Sequence, residues 1–294
     1  MCGSMKVKAY AKINLTLDIP KIRDDGYHEL CSVFQQISLY DELEISVSES
    51  QGENTIILTC NEPNIPCNEK NLCWKAANTF LKTYGFSNKT VKINLLKNIP
   101  SGAGLGGGSS DCAETLKALN KLLNVNASDK ELEKIGVTLG ADVPFFIKGE
   151  TQLAEGIGEK LTVLNLNYPK DIYLVLLKPN AELLTASIYK AFDGLPKEIL
   201  PKESTKDFLK TISEGKSEAF KNTTNMLEPA AISFCPYIER IKTELMNYGA
   251  VHAMMTGSGS VVFGIFEGEG SAQKALETAQ KELETVFGTI CRFK

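Results

Sequence analysis

Apolar residues recur at every second position over Ile13, Leu15, Leu17 and Ile19, with polar residues between them, the period of a strand buried on one face. Leu43, Ile45 and Val47 repeat the pattern, and Thr55 to Leu58 and Val91 to Leu96 are further strand candidates. Between them Asn71 to Tyr84 has the other period: Leu72, Ala76, Ala77 and Phe80 fall on one side of a helix. A second helix carries Leu116, Leu119, Leu122 and Leu123, with Ser109 or Ser110 placed to cap it. Ser128 followed by Glu131 is a capping box that opens a third, through Leu139. The apolar run Val143 to Ile147 reads as a strand, followed by the turn-rich Glu155-Gly156-Ile157-Gly158.

The polar, proline-containing stretch Asn167 to Asp171 precedes a buried-type strand, Ile172 to Leu177. A boundary there divides the chain into domains at 5–166 and 167–294. Beyond it the pattern predicts helices near 185–192, 205–222, 237–248 and 271–284 and strands at 251–255, 261–266 and 286–293. Strands and helices are interspersed without a steady βαβ rhythm, so the fold class expected is α+β. Met1-Cys2-Gly3-Ser4, ahead of a second methionine at position 5, reads as a cloning scar and is left out of the fold.

Composition narrows the partners. The 294 residues carry 43% hydrophobic and 23% charged side chains, ordinary for a globular chain. A net charge of −4 with intermixed signs offers no basic face for a nucleic acid. Apolar runs stop far short of the roughly 18 residues a membrane span needs, and no export signal opens the chain. A cytoplasmic location is expected, as monomer or homodimer. Eight cysteines without C-x-x-C spacing read as reduced thiols, and two histidines leave little for a zinc site.

The chemistry concentrates in Pro100-Ser101-Gly102-Ala103-Gly104-Leu105-Gly106-Gly107-Gly108-Ser109-Ser110. Five glycines in the seven positions 102–108 let backbone amides turn inward on an anion, and the helix that follows aims its free N–H groups at the same place. Phosphate is the natural occupant, with the serine hydroxyls available to a phosphate oxygen or a magnesium ion. No Gly-Lys-Ser/Thr is present, so this is not a Walker A loop. The stretch matches G-x-G-x-x-G, but one helix follows another where a dinucleotide fold needs a βαβ unit. A nicotinamide enzyme is thereby a minor alternative.

The run Pro100 to Ala113 resembles the GHMP kinase superfamily, which includes galactokinase, homoserine kinase and mevalonate kinase. Ala11-Lys12-Ile13-Asn14-Leu15, Asp25-Gly26-Tyr27-His28-Glu29-Leu30 and Leu139-Gly140-Ala141-Asp142-Val143-Pro144-Phe145-Phe146 extend the likeness. They resemble the branch whose acceptor is 4-diphosphocytidyl-2-C-methyl-D-erythritol, in the non-mevalonate route to isoprenoid precursors. Asn225-Met226-Leu227-Glu228-Pro229 and Met255-Thr256-Gly257-Ser258-Gly259-Ser260 agree with it.

The resemblance implies an N-terminal domain like the second domain of ribosomal protein S5, a ferredoxin-like C-terminal domain, and ATP and Mg2+ as cofactors, with metal ligands unassigned. It pairs Asp142, as acceptor of the hydroxyl proton, with Lys12, 130 positions away. Alone, Asp142 reads as a turn or capping residue and Lys12 as one side of a strand. The resemblance places Asn14, Tyr27, His28, Phe34, Thr185 and Tyr189 around the cytidine substrate, with His28 on the base edge. Asn71, Leu72, Lys75 and Lys97 are expected near adenine, and Gly257 and Ser258 in a second loop facing the first. A homoserine- or mevalonate-type kinase and a non-catalytic sensor on the same fold are the competing readings.

Overall fold

The computed structural model of the chain describes residues 3–294; Met1 and Cys2 lie outside the described residues. The elements in chain order begin with strands β1 (Gly3–Ile22), β2 (His28–Glu49) and β3 (Thr55–Cys60), helix α1 (Leu72–Thr83) and strand β4 (Lys89–Leu96). Three helices follow, α2 (Gly107–Leu122), α3 (Asp129–Leu139) and α4 (Val143–Lys148), then strands β5 (Thr151–Gly156), β6 (Lys160–Val163) and β7 (Ile172–Pro179). Next come α5 (Thr185–Asp193), α6 (Thr205–Ile212), α7 (Glu228–Phe234) and α8 (Tyr237–Asn247). The chain closes with β8 (His252–Met255), β9 (Val262–Glu267), α9 (Glu269–Glu282) and β10 (Thr285–Cys291). Gly3 and Ser4 are part of β1 rather than a detached leader.

Two compact units form, and neither is one continuous segment. Of the described residues, the first takes 3–11, 39–101 and 106–149; the second takes 12–38, 102–105 and 150–294. The boundary expected at 166/167 falls inside the second unit. β1 and β2, at 20 and 22 residues, are long enough to give part of their length to each.

In the first unit β3 and β4 pair in parallel, Thr55 opposite Thr90, joined by the α1 crossover, and β4 pairs antiparallel with residues 42–49 of β2. β4 buries Val91, Ile93 and Leu95 and exposes the residues between, as its alternation requires. α1 lies against α2, and α2 against α4, closing a core that fully buries Phe80, Leu116, Leu119, Phe145 and Phe146.

In the second unit residues 30–35 of β2 pair antiparallel with β5, and β5 with β6. A separate sheet runs β10-β7-β9-β8, every pair antiparallel. Numbered within that sheet the order is fourth-first-third-second, with helices between the first and second strands and α9 between the third and fourth. This is the ferredoxin-like arrangement expected. All eight residues of β7 are buried, the mark of a central strand covered on both faces. Ile238, Ile241 and Leu245 of α8 and Ala272, Ala275 and Ala279 of α9 join its core.

The α+β class therefore holds, and two local expectations do not. Val143–Ile147 is helix α4, not a strand; all five side chains are buried, so periodicity carried no signal, and Pro144 sits at the first helical turn. The helix predicted over 205–222 stops at Ile212 and resumes as a 3₁₀ turn, Ser217–Phe220, because Gly215 takes a φ of +70°. α7, β5, β6 and the first half of β2 were not foreseen. The seven described cysteines are all free thiols.

Phe80 is wholly enclosed, so Phe80→Ala is expected to cost about 3–5 kcal/mol in urea unfolding. A loss below about 1 kcal/mol would contradict the packing described.

Candidate functional site

The glycine run belongs to both units, residues 102–105 to the second and the residues around them to the first. Gly102, Gly104 and Gly106 take φ of +60°, +74° and +70°, alternating with buried Ala103 and Leu105. Successive turns into the left-handed region face amides inward, the geometry of an anion nest.

In the first unit the run becomes α2. Gly106 is its N-cap, no side chain caps it and no acidic residue lies in its first turn. Neither Ser109 nor Ser110 is the cap: Ser110 donates to the Tyr10 carbonyl at 2.7 Å. Ser109 is half-buried, and its hydroxyl has no hydrogen-bond partner among the described residues. Its Oγ lies 3.8 Å from where a side chain on Gly140 would begin, two residues before Asp142. Asp142 is the N-cap residue of α4, half-buried, and its side chain makes no capping bond.

Beneath the start of α2 lies a buried charge cluster that the sequence pattern did not reveal. The Lys97 ammonium bonds Asp41 and, at 2.9 Å, Asp111, and it sits 3.1 Å from the Cβ position of Gly107. Asp41 Oδ1 also accepts the Asn98 and Ile99 amides at 2.6 and 2.8 Å, which fixes the chain entering the loop. Burial drives the Asp111 carboxyl up to about 8, with Lys97 opposing and Asp41 reinforcing, and leaves its Oδ1 without a partner. The Lys97 ammonium is thus committed to carboxylates and not offered to a nucleotide. Asn71 is similarly engaged, its side chain capping α1 at Cys73 N and donating to Pro66 O, both at 2.8 Å. Leu72 stands 3.7 Å from the Cβ position of Gly108, and Lys75 is exposed.

In the second unit Lys12 is buried on β1. Its Nζ donates to Asn14 Oδ1 at 2.7 Å and lies 4.7 Å from the centre of the Phe34 ring. Asn14 Nδ2 donates to Ser32 Oγ at 2.9 Å, and Asn14 N to Thr256 Oγ1 at 3.0 Å. Thr256 begins the second loop, which meets the first backbone to backbone: a Cβ on Gly104 would lie 2.3 Å from Thr256 O. Lys12 N donates to Leu105 O and Val261 N to Ala103 O. Ser258 and Thr185 share a hydroxyl bond of 2.9 Å. His28 lies 4.7 Å, centre to centre, from the Tyr189 ring, and its Nε2 is 2.6 Å from Asp193. Tyr27 is 60% exposed.

Lys12, Asn14, Phe34, Gly104 and Gly257 thus converge within this unit, as do His28 with Tyr189 and Thr185 with Ser258. Thr256, Asp193, Asp41 and Asp111 were missed. Threonine in a Gly-Ser loop and single aspartates carry no periodic signal, and the one clue was Asp193 ending a predicted helix, where a carboxylate opposes the dipole.

An uncapped helix start behind a glycine nest fits a phosphate chain. Among the described residues no group of three His, Cys, Asp or Glu side chains is placed to hold a metal ion.

Two family models match the chain. The model for the GHMP kinases N terminal domain matches residues 71–150, and that for the GHMP kinases C terminal domain matches 206–285. A 4-diphosphocytidyl-2-C-methyl-D-erythritol kinase of Clostridium beijerinckii is 44% identical over 285 residues, covering 97% of this chain and 99% of its own. The Clostridium tetani kinase of the same name is 43% identical, covering 96% and 98%. A crystal structure of 4-(cytidine 5'-diphospho)-2C-methyl-D-erythritol kinase superposes with a TM-score of 0.80 at 32% identity, covering 98% and 99%. A homoserine kinase from Cytophaga hutchinsonii, at 19% identity and a TM-score of 0.76, shares the fold alone. Fold and site define the class as the GHMP kinases. Within that class the chain belongs to the 4-diphosphocytidyl-2-C-methyl-D-erythritol kinase family.

Two outcomes follow from the geometry. Gly104→Ala meets a backbone oxygen at 2.3 Å, whereas Gly102→Ala, also at positive φ, meets nothing nearer than 4.0 Å. Gly102→Ala is expected to lose only the left-handed strain, about 1–2 kcal/mol, and Gly104→Ala clearly more, in urea unfolding. Equal losses would contradict the close approach.

The Asp111 carboxyl titrates near 8 when folded and near 3.9 when unfolded. The folded value is the higher, so its contribution is present below about pH 4 and is lost as pH rises to about 8. Asp111→Asn should therefore gain on the wild type in melting temperature between pH 5 and pH 8. A difference independent of pH would contradict it.

Proposed function

We propose that the chain transfers the γ-phosphoryl group of ATP to the 2-hydroxyl of 4-diphosphocytidyl-2-C-methyl-D-erythritol, on the non-mevalonate route to isoprenoid precursors. The observation that carries this reading is identity of 44% across nearly the whole chain to a kinase of that name, on a fold holding the glycine nest and a buried lysine. A homoserine kinase and a mevalonate kinase share the fold at 19% and 15% identity.

Phosphoryl transfer asks the protein mainly to position reactants and to offset charge. The nest at Gly102 to Gly106 and the amides opening α2 hold the phosphates, with Gly257 and Ser258 completing the cradle. The Ser109 hydroxyl, lacking a protein partner among the described residues, is the group that would hold a Mg2+ ion, which when bound would offset charge on those phosphates. Asp142 accepts the proton of the attacking hydroxyl. Lys12, oriented by Asn14 and seated over Phe34, supplies positive charge for the acceptor and the moving group. Tyr27, His28 and Tyr189 hold the cytosine base, and Thr185 its approach.

Leu72 and Lys75 face the adenine side, with Asn71 shaping the turn before α1. In place of direct contact through its ammonium, Lys97 stiffens the loop from below. No described helix is long and apolar enough to cross a membrane. The reading carries with it a small-molecule substrate, a cytoplasmic location and no nucleic-acid partner.

ADP release is the test, with ATP, magnesium and, in turn, the cytidine acceptor, homoserine and mevalonate. Turnover is expected with the first alone. Asp142→Asn should lower kcat by about 10²–10⁴ with little change in the KM for ATP; unaltered turnover would remove Asp142 from the chemistry.

A further inference from the structure

α5 ends on Asp193, where a carboxylate meets the negative end of the helix dipole. What faces it from β2 is His28, whose Nε2 lies 2.6 Å from Asp193 Oδ1. The imidazole is fixed from two further sides, by the Tyr189 ring at 4.7 Å and the Phe192 ring at 5.9 Å between centres. Its side chain is 10% exposed, while that of Asp193 is 42% exposed. The other ring nitrogen, Nδ1, has no protein partner among the described residues and is not sealed from solvent.

A carboxylate is acceptor only, so a neutral imidazole bonded to it through Nε2 must carry its proton there. Nδ1 is then left as a bare acceptor. We infer that Asp193 is a positioning residue that locks His28 in the Nε2–H tautomer, so that Nδ1 accepts a hydrogen bond from a donor on the bound acceptor substrate. That donor is an N–H of the base's exocyclic amine or a hydroxyl of the sugar or polyol. The inference rests on the functional reading above and adds to it a residue that touches no substrate and acts through His28.

The test uses the full chain, with Asp193→Ala and Asp193→Asn. Asp193 is solvent-facing at a helix end, so both variants are expected to fold, and an unchanged KM for ATP checks it. With two histidines in the sequence, the ¹⁵N imidazole spectrum of the ligand-free protein is simple, and His28→Gln assigns it. In the alkaline range where the spectrum no longer changes with pH, the wild type should show the proton on Nε2 and a bare Nδ1. Asp193→Ala should show a mixture of tautomers and a KM for the cytidine acceptor raised about tenfold, with kcat little changed. Asp193→Asn keeps an acceptor oxygen but adds an amide donor that can bond a bare Nε2, so its acceptor KM should follow whichever tautomer its nitrogen spectrum shows.

The uridine analogue of the acceptor, which lacks the exocyclic amine, separates the two donors. If Asp193→Ala erases the preference for cytidine over uridine, the donor is the amine; if the preference survives while the KM for the acceptor rises, it is a hydroxyl, and either supports the inference. A wild-type proton on Nδ1, an unchanged acceptor KM in Asp193→Ala, or an Asn variant that keeps the Nε2–H tautomer yet is as impaired as the Ala variant would overturn it. A wild type releasing no ADP defeats the functional reading instead, and the nitrogen spectrum still decides the tautomer.

Discussion

Two backbone loops meet in the second unit at a point where no side chain fits, and the site there is organised around that contact. Gly104 takes a φ of +74° with the Thr256 carbonyl where its Cβ would be, so only glycine permits the approach. The Thr256 hydroxyl then holds the Asn14 amide, and the Asn14 side chain holds the Lys12 ammonium. Leu105 O and Ala103 O are taken by Lys12 N and Val261 N. A cation that is buried and expensive to desolvate is in this way aimed by a chain of hydrogen bonds starting at the phosphate loop. The glycines therefore serve twice, turning amides inward and allowing the second loop to lock the first.

Within the first unit, electrostatics anchor the chain before and after the glycine run. Asp41 binds the amides of Asn98 and Ile99 and the Lys97 ammonium, which reaches Asp111 on the following helix. Two carboxylates around one lysine hold one negative charge in excess, and burial answers by raising Asp111 rather than by leaving both ionised. Such a cluster is weak evidence for stability, since desolvation offsets much of its attraction. Its value is placement: it fixes the strand end and the helix start on either side of the loop. A catalyst that works by positioning benefits from support of this kind.

The glycine run was legible because its composition is its mechanism, and the strands with clean alternation, such as β4, were legible for the same reason. α4 was not, since five consecutive buried side chains have no period, and β5 and β6 are short and lack a distinctive run. Asp142 reads locally as a capping residue and does occupy an N-cap, so its assignment to chemistry came from resemblance to a family and not from spacing. Lys97 shows the opposite limit: it was expected near adenine, and only the fold reveals the two carboxylates that its ammonium bonds. Partners 56 and 14 positions away leave no trace in local pattern.

The most direct measurement of the central claim is phosphorus NMR of wild-type protein with ATP, magnesium and 4-diphosphocytidyl-2-C-methyl-D-erythritol. Growth of one phosphomonoester resonance on the acceptor, mole for mole with ADP and with the diphosphate linkage intact, is the result expected of a kinase acting on the 2-hydroxyl. ADP formed without that resonance, or cleavage of the diphosphate in its place, would contradict it.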